Sequence, residues 1–332
     1  RLRQGSMNTT AFSCGPLGAK GFAFLNMLQL IGWTSIMIYD AMLALQELAP
    51  QSPIIWTIAI GALVILWLFI GLHNTGYIQA IVSVLLLGLT LYMGAHMISQ
   101  WRHEGSLLTS GNMSFIAALE LSIAMPLSWL PLISDYTRES KKPFSASLTS
   151  ATVYTITSIV MYTLGLSAAI FGGGDSIITI MMNAGLGLAG LLVIIFSTVT
   201  TTFMDAYSAG VSSTTIYNSA SSKGIAVIVT IVGTIAAILY PMDDITDFLY
   251  LIGSVFAPMI AILLADYFVN RQQVQTLSAY LIRGLIWAVS VGLYHYMLHS
   301  ESSIGATLPA FAIAFIVTTI VGFISKTANA LL

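Results

Sequence analysis

Charge is what this sequence has least of. Asp, Glu, Lys and Arg make up 7% of its 332 residues, against roughly 25% in soluble domains, and that excludes an ordinary water-soluble globule. The single cysteine, Cys14, excludes an internal disulfide and a cysteine-based zinc cluster. A net charge of −2 without a basic run gives no footprint for nucleic acid. Histidines are few: His73, His96, His103, His295 and His299 all fall at the ends of apolar runs, and no Gly-x-Ser-x-Gly elbow occurs. The alternative from a different class, an intramembrane enzyme, needs a nucleophile with a base or a metal cluster in reach, and the candidates for that are poor. His295 and His299 have the i, i+4 spacing of zinc-binding helices, but the HExxH glutamate is missing between them.

What is present is apolar length. Hydrophobic residues reach 57% and mean hydropathy is +0.90, which points to an all-α polytopic membrane protein embedded in a lipid bilayer. With about 20 residues needed per span, ten segments qualify: 19–46, 53–72, 76–98, 113–136, 147–171, 185–216, 224–241, 246–268, 278–298 and 303–324. Arg1, Arg3, Lys20, Arg138, Lys141, Lys142, Lys223, Arg271, Arg283 and Lys326 fall on one side of that arrangement, and Arg102 alone with Asp175, Asp243 and Asp244 on the other. The positive-inside rule then predicts a multi-pass protein of the cell membrane with both termini cytoplasmic. The chain opens on the polar stretch RLRQGSMNTT. Either Met7 is the true start or the sequence begins inside a longer protein, and the second is the expectation.

Two stretches carry chemistry. Residues 118–143, ALELSIAMPLSWLPLISDYTRESKKP, have spanning length yet hold Glu120, Pro126, Pro131 and Asp135. Each proline removes a helical donor, freeing the carbonyls of Ser122 and Leu127. Broken backbone at membrane depth survives only where it is buried in protein or lines a wet cavity, so the stretch reads as a site. Further on, Thr198, Thr201, Thr202, Asp205 and Ser212 fall within about 100° on a helical wheel. Inserting a carboxylate at depth costs about 2.5–3.5 kcal/mol, which makes Asp205 a functional candidate. The alternative is a structural aspartate satisfied by the neighbouring threonines.

In the first span, Gln29 and Trp33 share a face one turn apart, with Asn26 and Asp40 on the same helix. Gln29 either bridges to another helix or contacts a solute. The second and third spans hold nothing ionisable in their middles and read as scaffold. In the eighth, Asp266 either pairs with Arg271 or sits at a membrane-interface anchor beside Tyr267 and Phe268.

At SWLPLISDYTRESKKP, STVTTTFMDAYSAG and LLADYFVNRQQ the sequence resembles the nucleobase:cation symporter family, the purine, cytosine and hydantoin permeases. MLQLIGWTSIMIYDA and TTTFMDAYSAG look most like the branch assigned to hydroxymethylpyrimidine, a thiamin precursor. The resemblance runs from about Gly21 to Lys326. It implies a LeuT-like fold of two inverted five-helix repeats plus two extra helices, twelve spans in all. The ten here would be the third to the twelfth. Residues 1–112 would be the remainder of the first repeat, 113–270 the second, and 271–332 the extra pair, all in one transmembrane domain. The chain would then lack the first two helices of such a protein.

The resemblance also implies roles. Gln29, Trp33, Met125, Pro126, Trp129, Thr202 and Asp205 would bind a nucleobase-like small molecule, with Met125 and Pro126 in the unwound middle of the broken helix. Relatives often place a stacking ring there; Pro126 departs from that pattern, so Trp129 or Trp33 would stack instead. Thr200 and Thr201 would hold sodium as the coupling ion, with no other cofactor. The implied function is secondary active import of an aminopyrimidine, hydroxymethylpyrimidine or cytosine, by sodium symport, in a protein expected to be monomeric. The alternative is a proton-coupled purine or hydantoin permease with Glu120 or Asp205 carrying the proton. For Glu120, near the outer start of its helix, the preferred reading is a plain electrostatic role at the helix N-terminus.

Overall fold

A computed structural model describes residues 4–48, 50–70, 72–99, 113–137, 140–171, 182, 185–242, 244–271, 273–300 and 303–331. Arg1, Arg3, Arg102, Arg138, Asp175 and Asp243 of the charge tally, together with His103 and the side chain of His73, lie outside the described residues.

The chain folds into helices α1 (Ser6–Thr9), α2 (Ala11–Leu48), α3 (Pro53–Ile70), α4 (Leu72–Ser99), α5 (Phe115–Trp129), α6 (Ile133–Thr137), α7 (Pro143–Phe171), α8 (Gly187–Ile216), α9 (Ser222–Leu239), α10 (Thr246–Leu264), α11 (Leu277–His299) and α12 (Thr307–Leu331). A π-helical turn, Ala265–Asn270, extends α10. Ser114, Ser221 and Thr276 each open a helix by accepting a backbone N–H three residues on, the usual service of a hydroxyl at an N-cap. In the connection ahead of α10, Asp244 accepts the Thr246 N–H at 2.9 Å. That bond holds its carboxyl below the usual range.

Among the described residues nine helices are long and apolar enough to cross a membrane. Nine of the ten expected segments are therefore single helices. The tenth, 113–136, is broken into the short helices α5 and α6.

The first expected span starts early. Its helix begins at Ala11 rather than near residue 19, bending at Gly15, whose φ is 69°. A Cβ at Gly15 would stand 2.7 Å from the Tyr280 ring, so glycine is required there for backbone and space alike. The polar start is also folded in: Ser6 and Met7 are buried, and the Ser6 N–H donates to Asp135 Oδ1 at 2.8 Å.

α2 and α8 form the centre and run antiparallel. Asn26 meets Ser212, Leu30 packs with Phe203, Ala206 and Ala209, and Ile38 to Leu45 pack with Leu191 to Ile195. Without a hydrophobic drive between helices in lipid, close packing of small residues and interhelical hydrogen bonds hold such a pair. α7 stands outside, with Leu148, Val153, Ile156 and Ile159 exposed.

Two buried acids tie α11 to the π-helical end of α10 and α12 to α5. Asp266 pairs with Arg283, not Arg271: the guanidinium donates through Nε at 3.2 Å and Nη2 at 3.1 Å, while Asn270 Nδ2 donates to Asp266 Oδ1 at 2.8 Å. The π-helical turn carries Asp266 inward, and Arg271, left-handed at φ 51°, turns back to the Phe268 carbonyl. The expected interface residues Tyr267 and Phe268 are exposed.

Glu120 caps α12. Its carboxylate accepts the Ala306 and Thr307 N–H groups at 2.9–3.1 Å and the Thr307 hydroxyl. Gly305, at φ 77°, leaves the room that a Cβ would take from that carboxylate. The helix whose N-terminus Glu120 favours is thus α12, not its own. Glu120→Ala would strand those donors, and we expect a loss of about 2 kcal/mol, or several degrees of melting temperature in detergent. An unchanged melting curve would contradict the capping role.

Candidate functional site

The site begins with two prolines of unequal effect. α5 runs through Pro126 and ends at Trp129, so Met125 and Pro126 lie within a helix rather than in its unwound middle, as expected from the resemblance. The break falls at 130–132, around Pro131. A lone proline at 126 costs one bond while its φ still suits the helix. Pro131 denies a donor to Leu127, and the Leu132 N–H turns instead to the Trp129 carbonyl at 3.1 Å. The Ser128 carbonyl is left without its helical donor.

Gln29 supplies one. Its Nε2 donates to the Ser128 carbonyl at 2.9 Å and to Asn26 Oδ1 at 2.9 Å. Asn26 Nδ2 in turn donates to Ser212 Oγ at 2.8 Å. Gln29 therefore does bridge to another helix, yet its Oε1 remains buried with no partner among the described residues, as does Trp33 Nε1.

Asp205 sits close by. The 26-to-212 contact sets the antiparallel register; seven residues along each helix, about 10.5 Å at 1.5 Å per residue, bring Trp33 level with Asp205. Asp205 is 6% exposed, and among the described residues its carboxylate takes part in no hydrogen bond or ion pair. The expected satisfaction by neighbouring threonines is not found: Thr200 and Thr201 donate to the Ser197 carbonyl at 2.9 Å, and Thr202 to the Thr198 carbonyl at 2.7 Å. With their protons directed along the helix, these hydroxyls keep their lone pairs for a cation or a solute donor.

The aromatic residues are divided. Trp33 meets Phe248 edge-on at 5.5 Å, next to a cavity of about 120 Å³ lined in part by Gln29, Phe248, Ile252 and Phe256. Trp129 packs toward Tyr154 at 6.4 Å in the cluster of Leu132 and Phe203. The two indoles belong to separate clusters. Met125 and Pro126 are half-buried, and the Met125 carbonyl accepts from Ser128 Oγ.

A second polar knot secures α6. Asp135 accepts from Ser6 N–H and from Ser208 Oγ at 3.1 Å, and Tyr136 donates to the Met204 carbonyl at 2.6 Å. Sequence reasoning assigned no role to Ser208 or Asn26. Asn26 carried a readable signal, an i, i+3 amide pair with Gln29 in an apolar helix, whereas Ser208 offered only its hydroxyl. A cavity of about 600 Å³ is lined by Glu120, Asp247, Tyr250 and His299 among others; it involves none of the residues expected to bind solute or sodium. Among the described residues no group of His, Cys, Asp and Glu could hold a metal ion.

Comparison with solved structures finds this fold in MHP1, a nucleobase-cation-symport-1 family transporter seen closed with bromovinylhydantoin bound. The TM-score is 0.77 at 16% identity, covering 96% of this chain and 79% of that one. A Na+-coupled sialic acid symporter in a substrate-bound outward-open state matches at TM-score 0.70 and 16% identity, over 98% of this chain and 77% of that one. The architecture is thus the LeuT-like one expected. Among curated proteins nothing matches the sequence. Residues 21–331 match the family described as permease for cytosine/purines, uracil, thiamine, allantoin, and the chain belongs to that family of membrane transporters.

Proposed function

We propose that the protein is a sodium-coupled symporter that brings a nucleobase-like aminopyrimidine, hydroxymethylpyrimidine or cytosine, across the cell membrane by alternating access. The observation that carries this reading is the Asp205 carboxylate, buried without a donor among the described residues and level with Trp33, whose Nε1 is likewise unpartnered there. An aminopyrimidine fits it in its ring-protonated form, in which the amino group and the adjacent ring N–H donate two parallel hydrogen bonds to one carboxylate. Trp33, Trp129, Met125 and Pro126 supply the apolar walls, and Thr202 a polar edge. Sodium is placed at the Thr200 and Thr201 hydroxyls. The broken α5–α6 helix belongs to a second inverted repeat, residues 113–270, that rocks against the rest. With both termini cytoplasmic, the Glu120 end faces outside. The protein acts as a monomer.

Proton coupling is the second reading, and Glu120 is the weaker carrier for it. Its lone pairs are taken by Ala306 and Thr307, which leaves Asp205 as the acid able to load a proton. Uptake of labelled hydroxymethylpyrimidine, competed by unlabelled bases, tests the substrate class. Hydroxymethylpyrimidine and cytosine are expected to compete at the lowest concentrations; stronger competition by adenine or hydantoin would replace the aminopyrimidine. Thr201→Ala is expected to raise the half-saturating sodium concentration about tenfold, the equivalent of 1.4 kcal/mol. An unchanged sodium dependence in both Thr200→Ala and Thr201→Ala would remove the ion from this position.

A further inference from the structure

The amide chain Ser128–Gln29–Asn26–Ser212 has a direction fixed at one end. The Ser128 carbonyl accepts and cannot donate, so the Gln29 atom facing it is the nitrogen. That same nitrogen faces Asn26, so the Asn26 atom there is the oxygen and its own nitrogen points to Ser212. Both Gln29 donor hydrogens are thereby engaged, and the atom left buried, with no partner among the described residues, is the acceptor Oε1.

We propose that Asn26 is a positioning residue for solute selection. It locks the Gln29 amide so that only an acceptor faces the solute, which favours a solute carrying a hydrogen-bond donor at that point over an isostere carrying an oxygen. The proposal rests on the transport reading above. An exocyclic amino group has two hydrogens, one for Asp205 and one for Gln29 Oε1. A carbonyl in its place sets lone pair against lone pair at both. Without Asn26 the Gln29 amide keeps one anchor, at Ser128, and gains freedom to turn its nitrogen toward the solute. Asn26 itself is buried and fully engaged, so it acts through Gln29 and not by touching the solute.

The test is the ratio of inhibition constants for uracil and cytosine, measured on labelled cytosine uptake by the wild type, Asn26→Ala, Asn26→Asp and Ser212→Ala. In Asn26→Ala the preference for cytosine is expected to fall about tenfold, with KM raised and Vmax within about twofold, because a site built to pair a polar group loses its selectivity when that pairing relaxes. Asn26→Asp keeps an acceptor for Gln29 Nε2 and is expected to keep the preference. A fall in Vmax alone, with the ratio unmoved, would show that Asn26 merely packs α2 against α8 and would overturn the proposal. Should Asn26→Ala fail to reach the membrane, Ser212→Ala decides. It loosens Asn26 from the far side and is expected to lower the ratio by about two- to threefold; no change would overturn the proposal. If the wild type takes up neither labelled cytosine nor labelled hydroxymethylpyrimidine, the aminopyrimidine reading falls and the proposal with it. If the wild type discriminates and the Asn26 variants do not differ from it, the proposal alone falls.

Discussion

Asp205→Asn is expected to abolish uptake, with a loss of at least about a hundredfold, while the protein remains folded and in the membrane. An asparagine has nearly the same volume, so packing of α8 against α2 is kept, and Asp205 makes no hydrogen bond or ion pair to a described residue that its loss would strand. What disappears is the charge and one of two equivalent acceptor oxygens. A charge-assisted pair is worth roughly twice a neutral one, and every 1.4 kcal/mol is about a factor of ten in affinity. Two weakened bonds to an aminopyrimidine thus account for about two decades. Surface abundance and a melting curve in detergent verify folding. Transport at the wild-type rate by Asp205→Asn would remove the residue from the site and return it to a structural role.

The second large effect concerns stability, at the Asp266–Arg283 pair. Both side chains are buried, at 0% and 4% exposure, and the two-pronged contact is supported by Asn270. Breaking a buried pair by removing one partner costs about 3–5 kcal/mol, because the survivor is an uncompensated charge. Arg283→Met is therefore expected to lower the melting temperature by roughly 10 °C or to prevent accumulation of the protein. The double change Asp266→Leu with Arg283→Met is expected to recover most of the loss, since replacing both ions with apolar groups is often neutral. If the double variant is no more stable than Arg283→Met, the pair is not what holds α10 to α11.

These two residues mark how far the sequence could be read. Asp205 was legible because a carboxylate in an apolar helix is rare and its threonine neighbours share its face by periodicity alone. Asp266 was legible as polar, but its partner was not. Arg271 is nearer in sequence, and only the π-helical turn and the return of α11 bring Arg283 to the carboxylate. Glu120 fails to be read for the same reason: the Thr307 N–H it accepts lies 187 residues away. The helices themselves were nearly all visible, since length and hydropathy set them locally. The start of α2 was not, because the polar segment before it is held by Asp135, a tertiary contact across 129 residues.

The broken helix is the instructive case. Two prolines five residues apart both free a carbonyl, and the family resemblance implied unwinding at Met125 and Pro126. The break lies instead at 130–132, where a second carbonyl, Ser128, is released and captured by Gln29 from another helix. A break is stable where its freed acceptors find donors, and the donor is supplied by a residue 99 positions away. The family resemblance gave the fold but not the position of the break, because the arrangement of helices tolerates a shift of about one and a half turns along one of them.

Sodium-coupled transport is tested most directly by uptake into proteoliposomes containing the purified protein, with labelled hydroxymethylpyrimidine or cytosine outside and an imposed sodium gradient. Accumulation above the external concentration is expected when sodium is higher outside. It should collapse when the gradient is dissipated by a sodium ionophore at constant pH and be lost in Asp205→Asn. Equal accumulation in sodium-free buffer, driven by an imposed pH gradient alone, would contradict sodium symport.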